Sequence, residues 1–275
     1  MAFKTFCCTL TTPKLEAGTF LRIGLLADLH NTPAPGLYSA VRRSAPDFLL
    51  LAGDMITAPH DGGVPLFGRA YGLIARLAEQ MPVFAVPGNH EERWKAGPYR
   101  ELYDAYRQGL MRKGVVFPEN ESFLLSLPGG DIRLTGLALP LSGYRSPRFL
   151  RRKRLGGSAV TAEGLRSLLG RPDPSVFTLL AAHDPRHFEA YADWGADLTL
   201  SGHLHGGTVR LPGLGGLIGP GFEFFPRYDR GLYRRGDSRL FVTAGAGMHT
   251  LPVRILNRRE YVLIHLAGTG EKGDL

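Results

Sequence analysis

The apolar residues of this chain fall into short runs that end in polar turns, and five of these runs share one form. Residues 21–27, 48–52, 83–86, 176–182 and 197–200 are Leu-rich or β-branched and are bounded by Gly, Pro or Asp. Such runs read as strands buried on both faces, because a strand with one wet face would alternate. Between them the spacing changes. At 66–80 the positions Phe67, Tyr71, Ile74, Leu77 and Ala78 recur at helical spacing, and Pro82 ends the segment. Residues 99–113 predict a second amphipathic helix, with Leu102, Tyr106 and Leu110 on one side. The runs 122–127 and 131–138 flank Pro128-Gly129-Gly130 and predict a β-hairpin with a slightly long loop. Further strands are expected at 239–244, 253–256 and 260–266. This alternation predicts an α/β (α+β) fold, two β-sheets flanked by helices.

Each of the five buried runs is followed by side chains that bind metals or phosphates. They are Asp28-Leu29-His30, Gly53-Asp54, Gly88-Asn89-His90-Glu91, His183 and Gly202-His203-Leu204-His205-Gly206. Taken singly, Gly-Asp is also an ordinary strand-ending turn, and a lone histidine after an apolar run is often a hydrogen-bonded core residue. The recurrence changes the picture, since the carboxyl edge of an α/β sheet is where loops converge on a site. Asp, Asn and His together offer hard oxygens and imidazole nitrogens. That mix suits two divalent first-row metals rather than a thiolate-bound structural zinc.

These blocks, in this order, resemble the signature of the calcineurin-like metallophosphoesterases: Asp-x-His, Gly-Asp, Gly-Asn-His-Glu or Asp, a lone His, then Gly-His-x-His. The resemblance runs from about Leu21 to the end, because 241–245 and 251–255 are similar to that family's closing strands. It implies a four-layer sandwich of two mixed β-sheets between helices. It also implies that Asp28, His30 and His205 hold one divalent ion, that Asn89, His183 and His203 hold a second, and that Asp54 bridges both. A shared carboxylate offsets the repulsion between two close dications, and a hydroxide bridging the ions is the nucleophile such a site implies. By the same resemblance His90 is not a ligand but acts on the phosphoryl group, as charge stabiliser and proton donor to the leaving oxygen. Glu91 is expected to be a hydrogen-bond acceptor that orients a neighbour. The stretch 202–212 is similar to a branch of small bacterial phosphodiesterases that are often membrane-associated. Mn²⁺, Fe²⁺, Zn²⁺ and Ni²⁺ suit this ligand set equally.

Composition bounds the rest. The 275 residues are 44% hydrophobic, enough for one large core, and the metal blocks spanning the chain predict a single domain over 1–275. The two cysteines, Cys7 and Cys8, are adjacent and far from the ligands, so no disulfide framework is implied. Residues 1–18 hold neither a long apolar core nor twin arginines, and 18 consecutive apolar residues occur nowhere. A cytoplasmic protein is expected, with peripheral contact at the inner face of the membrane as a second reading.

The formal net charge is +8. Residues 144–154 carry Arg145, Arg148, Arg151, Arg152, Lys153 and Arg154 with Tyr144, Phe149 and Leu150 interleaved. Three readings are open: a solvated loop, a contact for anionic lipid headgroups, or a guide for an anionic phosphoester substrate. The aromatic group Phe222, Phe224, Phe225 and Tyr228 reads first as core packing and second as the lining of an acyl or base pocket. His60 and His187 read as polar surface residues, and His249 is undecided. No nucleic-acid module is present, so sequence-specific nucleic-acid binding is not expected. The expected function is metal-dependent hydrolysis of a phosphodiester or phosphoanhydride, with monoesters cleaved more weakly. The alternatives are a non-catalytic metal-binding regulator of the same fold, and a lipid-headgroup pyrophosphatase or phosphodiesterase at the membrane surface.

Overall fold

The computed structural model describes residues 3–58, 66–144, 160–207, 209–211, 214–219, 224–248 and 254–271. Along the first half of the chain the strands are β1 (Lys4–Glu16), β2 (Phe20–Leu26), β3 (Phe48–Ala52), β4 (Val83–Val86), β5 (Val115–Val116), β6 (Ser122–Leu127) and β7 (Gly130–Leu137). The second half adds β8 (Phe177–Ala182), β9 (Leu198–Ser201), β10 (Val209–Leu211), β11 (Gly215–Ile218), β12 (Gly231–Arg235), β13 (Ser238–Val242) and β14 (Glu260–Gly270). One six-stranded sheet runs β1-β14-β2-β3-β4-β5, a second runs β12-β13-β9-β8-β7-β6, and β10-β11 form a small ribbon. Both large sheets are mixed. In the first, β14 is antiparallel to β2; in the second, β6 and β12 are antiparallel edges on a parallel centre.

The two sheets face each other across a core of Ile23, Leu25, Leu50, Val86, Ile132, Leu134, Leu179, Leu200 and Ile264. Alternate residues of the same strands point outward. Leu26, Leu49 and Leu51 pack under α1 (Leu37–Ser44), α2 (Gly68–Ala78), α3 (Asn89–Ala96) and α4 (Arg100–Met111), through Val41, Ile74, Trp94 and Tyr106. On the far side Leu180 and Ala182 pack under α5 (Ala162–Leu169) and α6 (Phe188–Trp194), through Leu165, Tyr191 and Trp194. Helix, sheet, sheet, helix is the expected four-layer sandwich. Each fully buried Leu contributes about 1.5–3 kcal/mol by removal from water, and burial on both faces explains why β3 and β8 read as unbroken apolar runs.

The predicted strands other than 253–256 are found, with shifts of one or two residues at their ends and a longer β14. Four details differ from expectation. β1 pairs in parallel with β14, Lys4 opposite Glu260; its inward positions Phe6, Cys8, Leu10 and Thr12 alternate with exposed ones, as an edge strand should. The hairpin loop is shorter than expected, because Leu127 pairs with Gly130. In α4 the inward residues are Tyr103, Tyr106 and Leu110, and Leu102 is 42% exposed. The expected strand at 253–256 is reduced to one bridge, Ile255 with Val209; the backbone leaves extended geometry at Leu256 (φ 54°), and Val253 lies outside the described residues.

Candidate metal centre

Asp28 and His30 follow β2, Asp54 follows β3, Asn89 and His90 open α3 after β4, His183 follows β8, and His203 and His205 follow β9. β2, β3 and β4 are parallel neighbours in one sheet and β8 and β9 in the other, so these carboxyl ends converge. Sharp exits from the strands make that convergence possible. Asp28, His30, Asp54, His203 and His205 all adopt left-handed backbone, with φ of 53°, 50°, 53°, 73° and 52°. Such conformations cost about 1–3 kcal/mol each and persist where surrounding structure imposes them. Two glycines provide the room. A Cβ at Gly88 would overlap the Asp54 carboxylate, and one at Gly245 (φ 79°) would lie 2.7 Å from Asp28 Cβ.

Three donor groups overlap here: Asp28-His30-His205, His30-Asp54-His90 and Asp54-His183-His203, the ligand atoms of each lying within 4.8 Å of one another. Asp54 is central. Its Oδ2 is 3.1 Å from His183 Nε2 and 3.9 Å from both His30 Nε2 and His90 Nε2. Asp28 Oδ1 is 3.5 Å from His205 Nε2 and 3.8 Å from His183 Nε2, while the two Nε2 atoms of His30 and His205 are 3.0 Å apart. The backbone N–H of His203 donates to both Asp28 oxygens, at 3.1 and 2.9 Å, tying β9's loop to β2's. His183 Nε2 faces the Asp54 and Asp28 carboxylates, and Asn89 Oδ1 and His203 Nδ1 are buried with no hydrogen-bond partner. Buried polar atoms left so are costly, and their grouping with two carboxylates is the arrangement divalent metal ions satisfy.

The electrostatics follow from burial and crowding. Burial would raise Asp54, but His183, His90 and His30 outweigh it and hold the carboxyl well below its usual range. Asp28 is pushed up to about 7, by burial first and by Asp54's charge, against the pull of His183. Burial lowers His183, yet Asp54 and Asp28 carry it up to about 10. Its Nδ1 lies 2.6 Å from Ala52 O, so Nδ1 donates and Nε2 faces the carboxylates. His203 is depressed to about 3, by burial and by the guanidinium of Arg186, whose Nη2 is 2.8 Å from His203 Nε2. A depressed histidine stays uncharged at neutral pH, as a metal ligand must.

Two residues of the Asn89 block have other roles. The backbone N–H of Ala58 donates to His90 Nδ1 at 2.9 Å, so a neutral His90 carries its proton on Nε2, the nitrogen facing Asp54. Glu91 is buried and accepts four backbone hydrogen bonds, from Asp54 (2.9 Å), Met55 (2.8 Å), Ile56 (3.1 Å) and Gly88 (2.9 Å). It thus holds the turn after β3 against the turn after β4, the orienting role expected of it. Burial and Asp54's charge push its carboxyl up to about 7, while the N–H donors pull it down.

A family model of the calcineurin-like phosphoesterases matches residues 21–207, a span that contains every one of these side chains. The chain belongs to this family. Its members are hydrolases acting on phosphate esters, and the His/Asp cluster is able to bind metal. The chain is 27% identical over 235 residues to the uncharacterized metallophosphoesterase YkuE of Bacillus subtilis (strain 168), covering 83% of this chain and 71% of that one. It is 27% identical over 269 residues to an uncharacterized metallophosphoesterase of Aquifex aeolicus (strain VF5), covering 95% and 91%. It is 26% identical over 232 residues to the phosphodiesterase YaeI of Escherichia coli (strain K12), covering 82% and 75%. Among solved structures, phosphopantetheinyl hydrolase (PptH) of Mycobacterium tuberculosis is similar at a TM-score of 0.49 and 17% identity, covering 84% of this chain and 89% of that one.

The structure brings Asp28, His30, Asp54, His183, His203 and His205 together with His90, and Asn89, the expected seventh ligand residue, is buried with its Oδ1 unpaired. It does not bear on Arg145, Arg148, Arg151 and Arg152, nor on His60, His249 and Phe222, which lie outside the described residues. His187, expected at the surface, is buried: its Nε2 lies 2.8 Å from Gly143 O and 3.8 Å from Asp184. Of the aromatic group, Tyr228 packs in the core against Phe188, whereas Phe224 and Phe225 are exposed. Residues the sequence reading missed form a supporting layer. Asp184, fully buried, takes a forked ion pair from Arg186, which in turn reaches His203. Arg254 donates to Gly247 O and, at 3.2 Å, to His205 Nδ1; Asn257 Nδ2 donates to the carbonyls of His205 and Gly207. The available signals were an acid directly after His183 and a single arginine inside the apolar run 251–255.

Among the described residues no helix is long and apolar enough to cross a membrane.

Proposed function

We propose that this protein hydrolyses a phosphodiester or phosphoanhydride at a two-metal centre, with phosphomonoesters poorer substrates. Asp28, His30 and His205 would hold one divalent ion, Asn89, His183 and His203 the other, and Asp54 both. The observation that carries this reading is the overlap of donor groups on Asp54, one of them holding the partnerless Nδ1 of His203, together with the buried, partnerless Oδ1 of Asn89. Bound there, the ions would supply acidified water as nucleophile near neutral pH and charge neutralisation for the phosphoryl oxygens. The chain's own residues supply the rest. His90, with its proton fixed on Nε2 by Ala58, donates to the leaving oxygen. Glu91 keeps Asp54 and Asn89 in register through the two turns it joins. The preference for a diester is supported by the relative named a phosphodiesterase.

The test is initial-rate hydrolysis of a chromogenic phosphodiester and the matching monoester by metal-stripped protein resupplied with Mn²⁺, beside Asp54→Asn. Metal-dependent diester cleavage that disappears in the variant supports the proposal. Two ions bound with no turnover of either ester would favour a narrow lipid-linked substrate or a non-catalytic regulator.

A further inference from the structure

Tyr144 stands at the metal centre and has no part in the chemistry proposed so far. It follows the short 3₁₀ turn Leu141–Gly143, which packs beside α3, the helix that begins at Asn89. Its ring lies against two of the donor side chains, with centroids 6.1 Å from His183 and 5.6 Å from His203. The residue before it is anchored from the opposite wall: His187 Nε2 donates to Gly143 O at 2.8 Å. Buried His187 thus fixes where the tyrosine sits. One part of the ring packs on the cluster of Leu137, Leu139 and Leu165, and the side chain is half-buried rather than closed off. Burial, and after it the charge of Asp54, push the phenol well above its ordinary range, so the hydroxyl lies in the field of the centre's middle carboxylate.

We propose that Tyr144 is a substrate-contacting residue whose hydroxyl donates a hydrogen bond to a non-bridging phosphoryl oxygen on the His183–His203 side of the centre. The assignment rests on the phosphoester hydrolysis proposed above. The hydroxyl decides it, because a phenylalanine ring would pack on the two histidines equally well. A tyrosine hydroxyl taken into a protein usually finds a partner, and among the described residues this one makes no hydrogen bond. Phosphoryl transfer spreads charge over the non-bridging oxygens, and a donor fixed beside them stabilises it. His90 does not serve this side. Its ring meets His30 edge-on, with centroids 4.7 Å apart, so His90 and Tyr144 adjoin different donor groups around Asp54.

Calorimetric titration of inorganic phosphate into the Mn²⁺-loaded full chain, as wild type and as Tyr144→Phe, tests the assignment, beside initial rates on the chromogenic phosphodiester. The substitution keeps the ring and removes only the hydroxyl. Phosphate affinity and kcat/KM should each fall about 10–10²-fold, the loss expected for one hydrogen bond to a charged acceptor. Mn²⁺ affinity and the urea midpoint of chelator-treated protein should stay at wild-type values. Equal phosphate affinity in the two proteins overturns the proposal, as does a wild type that binds the ions and no phosphate. A variant that loses Mn²⁺ affinity also overturns it, since Tyr144 would then act by holding the donor side chains. Ions and phosphate bound without turnover of either ester would count against the proposed hydrolysis, while the difference in phosphate affinity would still decide the role of Tyr144.

Discussion

Replacing Glu91 by Gln tests how the centre is held together. The carboxylate accepts two N–H bonds on each oxygen, those of Met55 and Ile56 on Oε1 and of Asp54 and Gly88 on Oε2. In Gln one oxygen keeps its pair, and the amide NH₂ is set against the other two donors. Two bonds to a charged acceptor are worth about 1.5–3 kcal/mol each, so the loss is about 3–6 kcal/mol. Removing a buried charge offsets part of this, and a net destabilisation of about 3 kcal/mol is expected, against a total stability of about 5–15 kcal/mol. Urea unfolding of chelator-treated wild type and variant at pH 8 measures it, as a lower midpoint with unchanged slope. Metal titration of the folded variant should show weaker binding, because Asp54 and Asn89 lose their common brace. A shift under about 0.5 kcal/mol with wild-type metal affinity would refute the reasoning: the burial that raises Glu91 would then dominate, and the four bonds would contribute nothing net.

Other outcomes follow from the same geometry. His90→Asn should lower kcat for the diester by about 10²–10⁴-fold with two ions still bound; an unchanged kcat would remove His90 from the proton path. Gly88→Ala places a Cβ against Asp54 and should weaken metal binding measured by calorimetry, and a wild-type isotherm would show that the two turns can move apart. For the metal-free protein the pH trend has a definite sign. His183 is raised to about 10, so its stabilising contribution is complete below about 6.5 and is lost as pH rises through 10. Asp28, raised to about 7, acts in the same direction at lower pH. Urea midpoints in chelator should therefore fall from pH 6.5 to 9.5, whereas metal affinity should rise over that range because binding displaces protons; a midpoint that climbs with pH contradicts the assignment.

The sheets and the positions of the clustered polar side chains were legible because their causes are local. A strand buried on both faces must be a run of Leu, Val, Phe and Ala, as 48–52 and 83–86 are, and the turn beyond it is where a polar side chain can sit. Those two requirements mark Asp54, Asn89 and His183 without reference to anything distant. What was not legible depends on which other segment arrives. β1 is an edge strand whose alternation acquires meaning only when β14, some 250 residues later, lies beside it. His187 and Phe225 are each a polar or apolar residue in a loop, and only the packing of Gly143 and the ribbon β10-β11 decides that the first is buried and the second exposed. The proton position on His90 rests on an N–H from Ala58, 32 residues away, and the far nitrogens of His203 and His205 face Arg186 and Arg254. Side-chain type and spacing thus determined which atoms could meet a metal. Tertiary contact alone decided how those atoms are oriented, charged and held, because hydrogen bonds and burial depend on partners that no local pattern specifies.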